Sequence, residues 1–337
     1  MATSREIRLA KRPVGLPGPD CFELAEAQLP ELAEGEVRVR NLWMSVDPYM
    51  RGRMYDRKSY APPFALGEPL LGGAIGRVEA SRSDALAEGT LVSSSFAWRE
   101  AFVAPAKALQ ALPELGVPPQ AFLGVLGMPG MTAYTGLMKL GECKSEDTVF
   151  VSAASGAVGS LVAQLAKLEG CRVIGSAGSE EKCEWLRSVG VDVAINYKEH
   201  PDAKRLSKAL VQAAPKGVDL YFDNVGGDHL QAALEAMNPL GRIVCCGMIA
   251  QYNDAEPPPG PTNLAYIVSK KLRLQGFIIT DHWSGYPAFL QTVAPLVASG
   301  KLKYRESIVE GLEQAPSAFI GLFSGANLGK MLVKLAS

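Results

Sequence analysis

One stretch of the chain has side chains small enough to let an anion touch the backbone: Ala153-Ala154-Ser155-Gly156-Ala157-Val158-Gly159. It closes the apolar run Thr148–Ala153 and opens a segment with Val158, Leu161, Val162, Leu165 and Leu168 at helical spacing. A phosphate can enter such a strand-to-helix turn because the helix N-terminus offers unpaired N–H groups and positive dipole. Gly156 permits the close approach and Gly159 the packing of helix on strand, with Ala154 standing where a first glycine is usual. The chemistry this implies is dinucleotide binding.

The second apolar run bears on which dinucleotide. It ends in Gly175-Ser176-Ala177-Gly178-Ser179 and has no Asp or Glu at its tip to hold a ribose 2′-hydroxyl. An acid there would repel a 2′-phosphate, so its absence leaves room for NADP(H). Ser179 and Lys182 follow at once and could bind that phosphate. Lys182 reads equally well as a solvated helix lysine, and Glu180 and Glu181 weigh slightly against a phosphate site. Metal chemistry is not signalled, because the three histidines, His200, His229 and His282, have no cysteine at ligand spacing. No covalent nucleophile is signalled either. Hydride transfer by a bound nicotinamide is then the default reaction.

These residues need a sheet to hold them. After the first run, further strands are expected at Cys171–Gly175, Val193–Tyr197, Val218–Asp223, Arg242–Cys246 and Leu272–Ile279. Helical stretches near Lys182–Val189, Asp202–Ala213, Leu230–Met237 and Tyr286–Ala298 fall between or after them. Six strands alternating with helices predict an α/β fold with a parallel, doubly wound, Rossmann-type sheet. The preceding part reads as β-rich: Glu36–Arg40 alternates at period two, and Ala74–Val78 and Thr90–Val92 are short strand candidates. Pro257-Pro258-Pro259-Gly260-Pro261 can be neither helix nor central strand and is expected as a surface loop. The segment after Lys301 is expected to return to the first domain, giving a substrate domain of residues 1–124 and 301–337 around an inserted nucleotide domain of residues 125–300.

At 337 residues the chain suits two domains. A formal net charge of −1 provides no basic face for nucleic acid or an anionic membrane. No apolar run is long enough to span a bilayer, and the polar first residues lack the apolar core of a signal peptide. Six scattered cysteines without a C-x-x-C pair fit reduced, mostly buried thiols in a cytoplasmic protein.

Further motifs carry a family resemblance: Met44-Ser45-Val46-Asp47-Pro48-Tyr49-Met50-Arg51, Gly178-Ser179-x-x-Lys182, Asn196-Tyr197, Asp223-Asn224-Val225-Gly226-Gly227, Cys246-Gly247-x-Ile249-x-x-Tyr252-Asn253 and Gly325-Ala326-Asn327-Leu328-Gly329-Lys330. In this order, with the phosphate loop, they resemble the zinc-independent medium-chain dehydrogenase/reductases over nearly the whole chain. Within these, the resemblance narrows to the prostaglandin reductase and alkenal double-bond reductase group, also called leukotriene hydroxydehydrogenases. The resemblance implies a Rossmann domain inserted into a GroES-like β-rich catalytic domain. Zinc-dependent relatives carry a metal-binding Cys where this chain has Ser45, and Gly-His-Glu where it has Leu71-Gly72-Gly73.

By the same resemblance, Gly156, Ala157, Val158 and Gly159 hold the pyrophosphate. Lys182 and Tyr197, beside Ser179, hold the 2′-phosphate end. Asn224 meets the nicotinamide half, which Cys246, Gly247, Met248, Ile249 and Tyr252 line together with Phe277, Ile278 and Ile279; Asn327 reaches it from the C-terminal segment. Tyr252 is implied to act through the nicotinamide ribose hydroxyl and the substrate carbonyl, and Tyr49 to face the substrate, although Tyr49 reads nearly as well as a core aromatic. The implied reaction is NADPH-dependent reduction of a C=C bond conjugated to a carbonyl in an enal or enone, by hydride addition to the β-carbon. A homodimer is the implied assembly. Two rivals stay open: a quinone reductase of the same superfamily, and a non-catalytic NADPH-binding protein.

Overall fold

The computed structural model describes residues 2–336. The first part of the chain builds seven strands: β1 (Thr3–Leu9), β2 (Phe22–Gln28), β3 (Glu36–Ser45), β4 (Ala74–Ser81), β5 (Leu91–Ser94), β6 (Ala101–Pro105) and β7 (Gln110–Ala111), with one helical turn, α1 (Met50–Arg53), after β3. The period-two stretch at the start of β3 turns Val37 and Val39 fully inward while Arg38 and Arg40 face Glu79 of β4.

The middle of the chain alternates helix and strand. Helix α2 (Met128–Tyr134) runs on as a π-helical stretch to Leu140. Then follow β8 (Thr148–Val151), α3 (Gly159–Leu168), β9 (Arg172–Ala177), α4 (Glu180–Ser188), β10 (Val193–Asn196), α5 (Ala203–Ala213), β11 (Val218–Asp223), α6 (Gly227–Ala236), β12 (Met237–Cys245), α7 (Ala265–Ser269), β13 (Arg273–Gly276) and α8 (Tyr286–Ala298). The six strands form one sheet in the order β10-β9-β8-β11-β12-β13, every pairing parallel. This is the doubly wound topology expected from the alternation. The winding reverses between β8 and β11, where ligands of such sheets bind at the carboxyl ends of the strands. One face packs Leu206 and Leu210 of α5 and Leu230 and Leu234 of α6 on Phe150, Ile174, Tyr221 and Ile243. Phe150 and Tyr221 stack there with ring centroids 4.8 Å apart.

The last segment forms β14 (Glu306–Glu310), α9 (Ala315–Gly321) and β15 (Lys330–Lys334). It completes a sheet in the order β14-β15-β3-β4-β5-β7, with β6 on β3. A core of Trp98, Phe319, Met44, Met50 and Leu9 underlies it. The chain divides into two compact units, Met1–Gly124 with Glu306–Ser337, and Val125–Arg305. The proline segment 257–261 carries no regular structure. Among the described residues no helix is long and apolar enough to cross a membrane.

Several features differ from the sequence reading, some of them for evident local reasons. The run Leu272–Ile279 is strand only from Arg273 to Gly276, because its partner β12 ends at the Cys245–Gly276 pair and the chain turns away. Ile279–Gly285 becomes a 3-10 helix. Leu168 ends α3 and is 51% exposed, since Gly170 turns the chain with φ +86° just beyond it. Helix α4 starts at Glu180 rather than Lys182, with Ser179 as its N-cap.

Candidate active site

The nucleotide unit carries most of the site residues at one end of its sheet. All four residues of β8 are buried, and the chain then folds back sharply at Ala153, whose φ is +46°. The Ala154 N–H donates to the Ser176 carbonyl (2.9 Å), fastening the loop to β9. A Cβ on Gly159 would lie 2.8 Å from Ala154 Cα and closer still to the Ala153 carbonyl oxygen. Gly159 therefore holds the first turn of α3 against the loop. A Cβ on Gly156 would meet only the Ala153 carbonyl, at 3.2 Å. Its lack of a side chain clears space above the loop rather than beneath it.

Past β9 the chain reaches Gly178, where an added Cβ would lie 3.1 Å from the Tyr197 hydroxyl and 3.4 Å from Lys198 Cε. Ser179 accepts the Lys182 N–H (3.4 Å) and caps α4 with an oxygen lone pair. The Lys182 ammonium has its pKa lowered, first by burial and then by Lys198, with Glu181 opposing. Gly178, Ser179, Lys182, Tyr197 and Lys198 thus meet at one place, which suits a dianion better than a ribose hydroxyl. Glu180 pairs with Arg187. His229 of α6 stands edge-on to the Tyr197 ring, centroids 5.0 Å apart. Burial holds its pKa down to about 4, so it is a neutral support. Lys198 was missed in the sequence, where it is one of several lysines in a polar stretch; its place next to Gly178 comes from the pairing of β10 on β9.

The other end of the crevice is organised by a buried carboxyl. One oxygen of Asp223 accepts from the Tyr221 hydroxyl (2.6 Å), the Ser152 hydroxyl (3.2 Å) and the amides of Val225 (2.9 Å) and Gly226 (2.8 Å). Burial raises its pKa, and these bonds oppose the rise. The Asp223 carbonyl accepts the Cys246 and Gly247 amides at 2.8 and 3.1 Å, tying the tips of β11 and β12. Asn224 donates from Nδ2 to the Ser152 carbonyl at 2.8 Å. Against this frame, the Tyr252 hydroxyl accepts the Met248 N–H (3.2 Å), and a Cβ on Gly247 would lie 3.0 Å from the same oxygen. Asn224, Cys246, Gly247, Met248, Ile249 and Tyr252 are thereby brought together. Phe277 lies beside the π-helical stretch near Gly136, and Ile278 leads into the 3-10 turn that begins at the buried Ile279. Asp223 stood in the sequence only as the first residue of a family motif, and Tyr221 and Ser152 had no individual signal.

Tyr49 and Asn327 belong to the β-rich unit. Tyr49 precedes α1 and packs on the core around Met44 and Met50, where burial, then Asp47, raises its pKa. Asn327 donates to the Gly329 carbonyl (2.7 Å) in the turn before β15. In the same unit Lys330 is 5% exposed and donates to Asp47 (2.9 Å) and the Val46 carbonyl (2.8 Å), while Ser45 donates to the other Asp47 oxygen. The space at Gly72 is occupied by Met50, and Gly73 lies against Leu123 and Ser45. Among the described residues no group of three or more His, Cys, Asp or Glu could hold a metal.

Two family models match the chain, an N-terminal domain of oxidoreductase over residues 5–112 and a zinc-binding dehydrogenase over residues 157–295. The chain is 43% identical to the 2-alkenal reductase (NADP(+)-dependent) of Nicotiana tabacum, over 99% of this chain and 98% of that protein. It is 42% identical to prostaglandin reductase 1 of Bos taurus, over 99% and 100%. The crystal structure of CurA in complex with NADPH from Vibrio vulnificus superposes with a TM-score of 0.93 at 42% identity, covering 99% of each chain. The chain belongs to the zinc-independent medium-chain dehydrogenase/reductases, in the group that holds the prostaglandin and alkenal reductases.

Proposed function

We propose that this protein is an NADPH-dependent reductase of the carbon–carbon double bond in α,β-unsaturated aldehydes and ketones. The observation that carries the reading is Tyr252, whose hydroxyl is fixed by the Met248 amide where the tips of β11 and β12 meet. The glycines at 156 and 159 and the grouping of Lys182, Tyr197 and Lys198 about Gly178 fit an NADPH molecule laid from the phosphate loop toward Asn224. When bound, NADPH supplies the hydride that adds to the substrate β-carbon. Negative charge then gathers on the carbonyl oxygen, and a donor already in place stabilises it by roughly 3 kcal/mol. Tyr252 is that donor, held by a bond that uses an oxygen lone pair. Tyr49 is the proposed substrate-facing residue, and Asn327 is proposed as a further contact of the nicotinamide.

The sulfurs beside this site suit an electrophilic substrate. Burial, then Asp223, pushes the Cys245 thiol up to about 11 and the Cys246 thiol up to about 12. Both stay protonated at neutral pH and are poor nucleophiles toward an enal. A homodimer is also proposed: β13 is an edge strand, and Val268 on the adjacent α7 is 81% exposed. The direct test is NADPH oxidation by the purified protein with a 2-alkenal, a linear enone or a naphthoquinone. Turnover with the first two supports the reading. Turnover with the quinone alone makes the protein a quinone reductase, and none with any acceptor leaves a binding protein.

A further inference from the structure

The phosphate loop occupies the carboxyl ends of β8 and β9; two cysteines meet at the opposite ends of the same strands. Cys143 lies on the loop leading into β8, and Cys171 is the residue before β9. Their sulfurs are 3.4 Å apart, across 28 residues of chain. The backbone around them is fastened. Arg242 donates to the carbonyls of Gly141 (3.0 Å) and Glu142 (2.6 Å) and to the Asp147 carboxylate (2.7 Å). The Cys143 amide donates to the Leu137 carbonyl (3.2 Å), the Cys171 amide to that of Ala166 (3.0 Å), and the Cys171 thiol to that of Lys144 (3.2 Å).

We propose that Cys143 and Cys171 are an oxidative modification site, a dithiol that closes to a disulfide and reopens on reduction. A disulfide has sulfurs about 2.05 Å apart, so closure asks for an approach of about 1.4 Å, which side-chain rotation can supply much of. Cys143 is half-buried and reachable, whereas Cys171 is 1% exposed and waits beneath it. The hydrogen bond between the thiols raises the pKa of Cys143 and lowers that of Cys171, but only Cys143 is open to an oxidant, so access sets the order. With hydrogen peroxide as oxidant, the Cys143 sulfur attacks a peroxide oxygen, the O–O bond breaks, and a sulfenic acid and water form. The Cys171 thiolate then attacks the Cys143 sulfur and displaces hydroxide, which leaves as a second water. Two electrons and two protons have passed from two thiols to the peroxide. The other cysteines are poorly placed for this. Cys21 and Cys183 are buried singly, and Cys245 and Cys246 are consecutive at a strand end, where neighbouring side chains point to opposite faces.

The test is peroxide treatment of the whole purified protein, followed by thiol titration in denaturant and non-reducing peptide mapping. The thiol count should fall by two from six and return with dithiothreitol, and the linked peptides should be those of Cys143 and Cys171. Cys143→Ser should form no linked pair. Six thiols surviving, over-oxidation of Cys143 without a link, or a link through any other cysteine would overturn the proposal. The map is read on the wild-type protein, so it stands even if the variant folds poorly.

Discussion

The two ends of the nucleotide crevice are built by opposite means. At the phosphate end, β8 and α3 meet around atoms that are missing: the site exists because Gly159 and Gly156 carry no Cβ. At the end proposed for the nicotinamide, the tips of β8 and β11 meet around an atom that is present, the buried Asp223 oxygen that gathers two hydroxyls and two amides. A cradle of absences is broken by adding a methyl group. A cradle of hydrogen bonds is broken by removing an acceptor or a donor. The first kind depends on backbone alone and has a fixed spacing. The second depends on partners brought together by folding.

The phosphate end should show the largest effect. Gly159→Val forces side-chain carbons into the backbone of Ala153 and Ala154, which no rotamer relieves. Overpacking of that kind costs about 1–3 kcal/mol or more, and NADPH binding should fall below detection in a fluorescence titration. Gly156→Ala should leave the unfolding midpoint nearly unchanged and weaken NADPH only moderately. Equal damage from the two would mean that the loop is not divided into a packing glycine and an approach glycine.

At the other end, Tyr252→Phe should lower kcat about a hundredfold, as loss of one well-placed donor to a developing oxyanion does. The NADPH Kd should move less than about threefold, since the lost bond acts on charge that appears only in the transition state. Steady-state kinetics beside a direct cofactor titration separates the two quantities. An unchanged kcat would reduce Tyr252 to a wall of the crevice.

Beyond the phosphate loop, at the tip of β9, Lys182→Ala should weaken NADPH about ten- to a hundredfold while leaving NADH nearly untouched, because a charge-assisted bond to phosphate contributes about 1.5–3 kcal/mol. Lys198→Ala should act in the same direction by a smaller factor. Its charge already disfavours the Lys182 ammonium, and removing it relieves that repulsion. Equal losses for the two cofactors would show that these lysines hold the fold and not the phosphate.

These differences follow what a sequence can display. The sheet order follows from six apolar runs separated by helical periods, and Gly159 from its place at the first junction. Lys182 was legible because Gly178-Ser179 marks a strand tip and helix cap three residues before it. Lys198 was not, because it reaches that tip only through strand pairing. Asp223 and Ser152 are 71 residues apart, and Asp47 and Lys330 are 283 apart, so no local pattern joins either pair. The end of β13 was misplaced for a related reason. Apolar residues continue through Phe277 and Ile279 past the last paired residue, and periodicity cannot say where the ladder stops.

One further effect is on stability against pH and leaves the crevice chemistry untouched. His229 is 5% exposed under Tyr197, and its pKa is about 4 against an ordinary 6.5. Between those values the unfolded chain takes up the proton and the folded chain does not, so stability falls as pH drops through that window. The loss approaches about 3 kcal/mol at its acid end. His229→Phe should flatten this part of the profile from chemical denaturation. A profile unchanged by the substitution would show that other groups set the acid limit.

In the proposed reaction charge gathers on the substrate carbonyl while the bond that becomes saturated is C=C. Product analysis after NADPH-driven turnover of a 2-alkenal tests it most directly. The saturated aldehyde, with deuterium from 4-deuterated NADPH at the β-carbon, is the predicted product. An allylic alcohol, with deuterium on the carbonyl carbon, would contradict it.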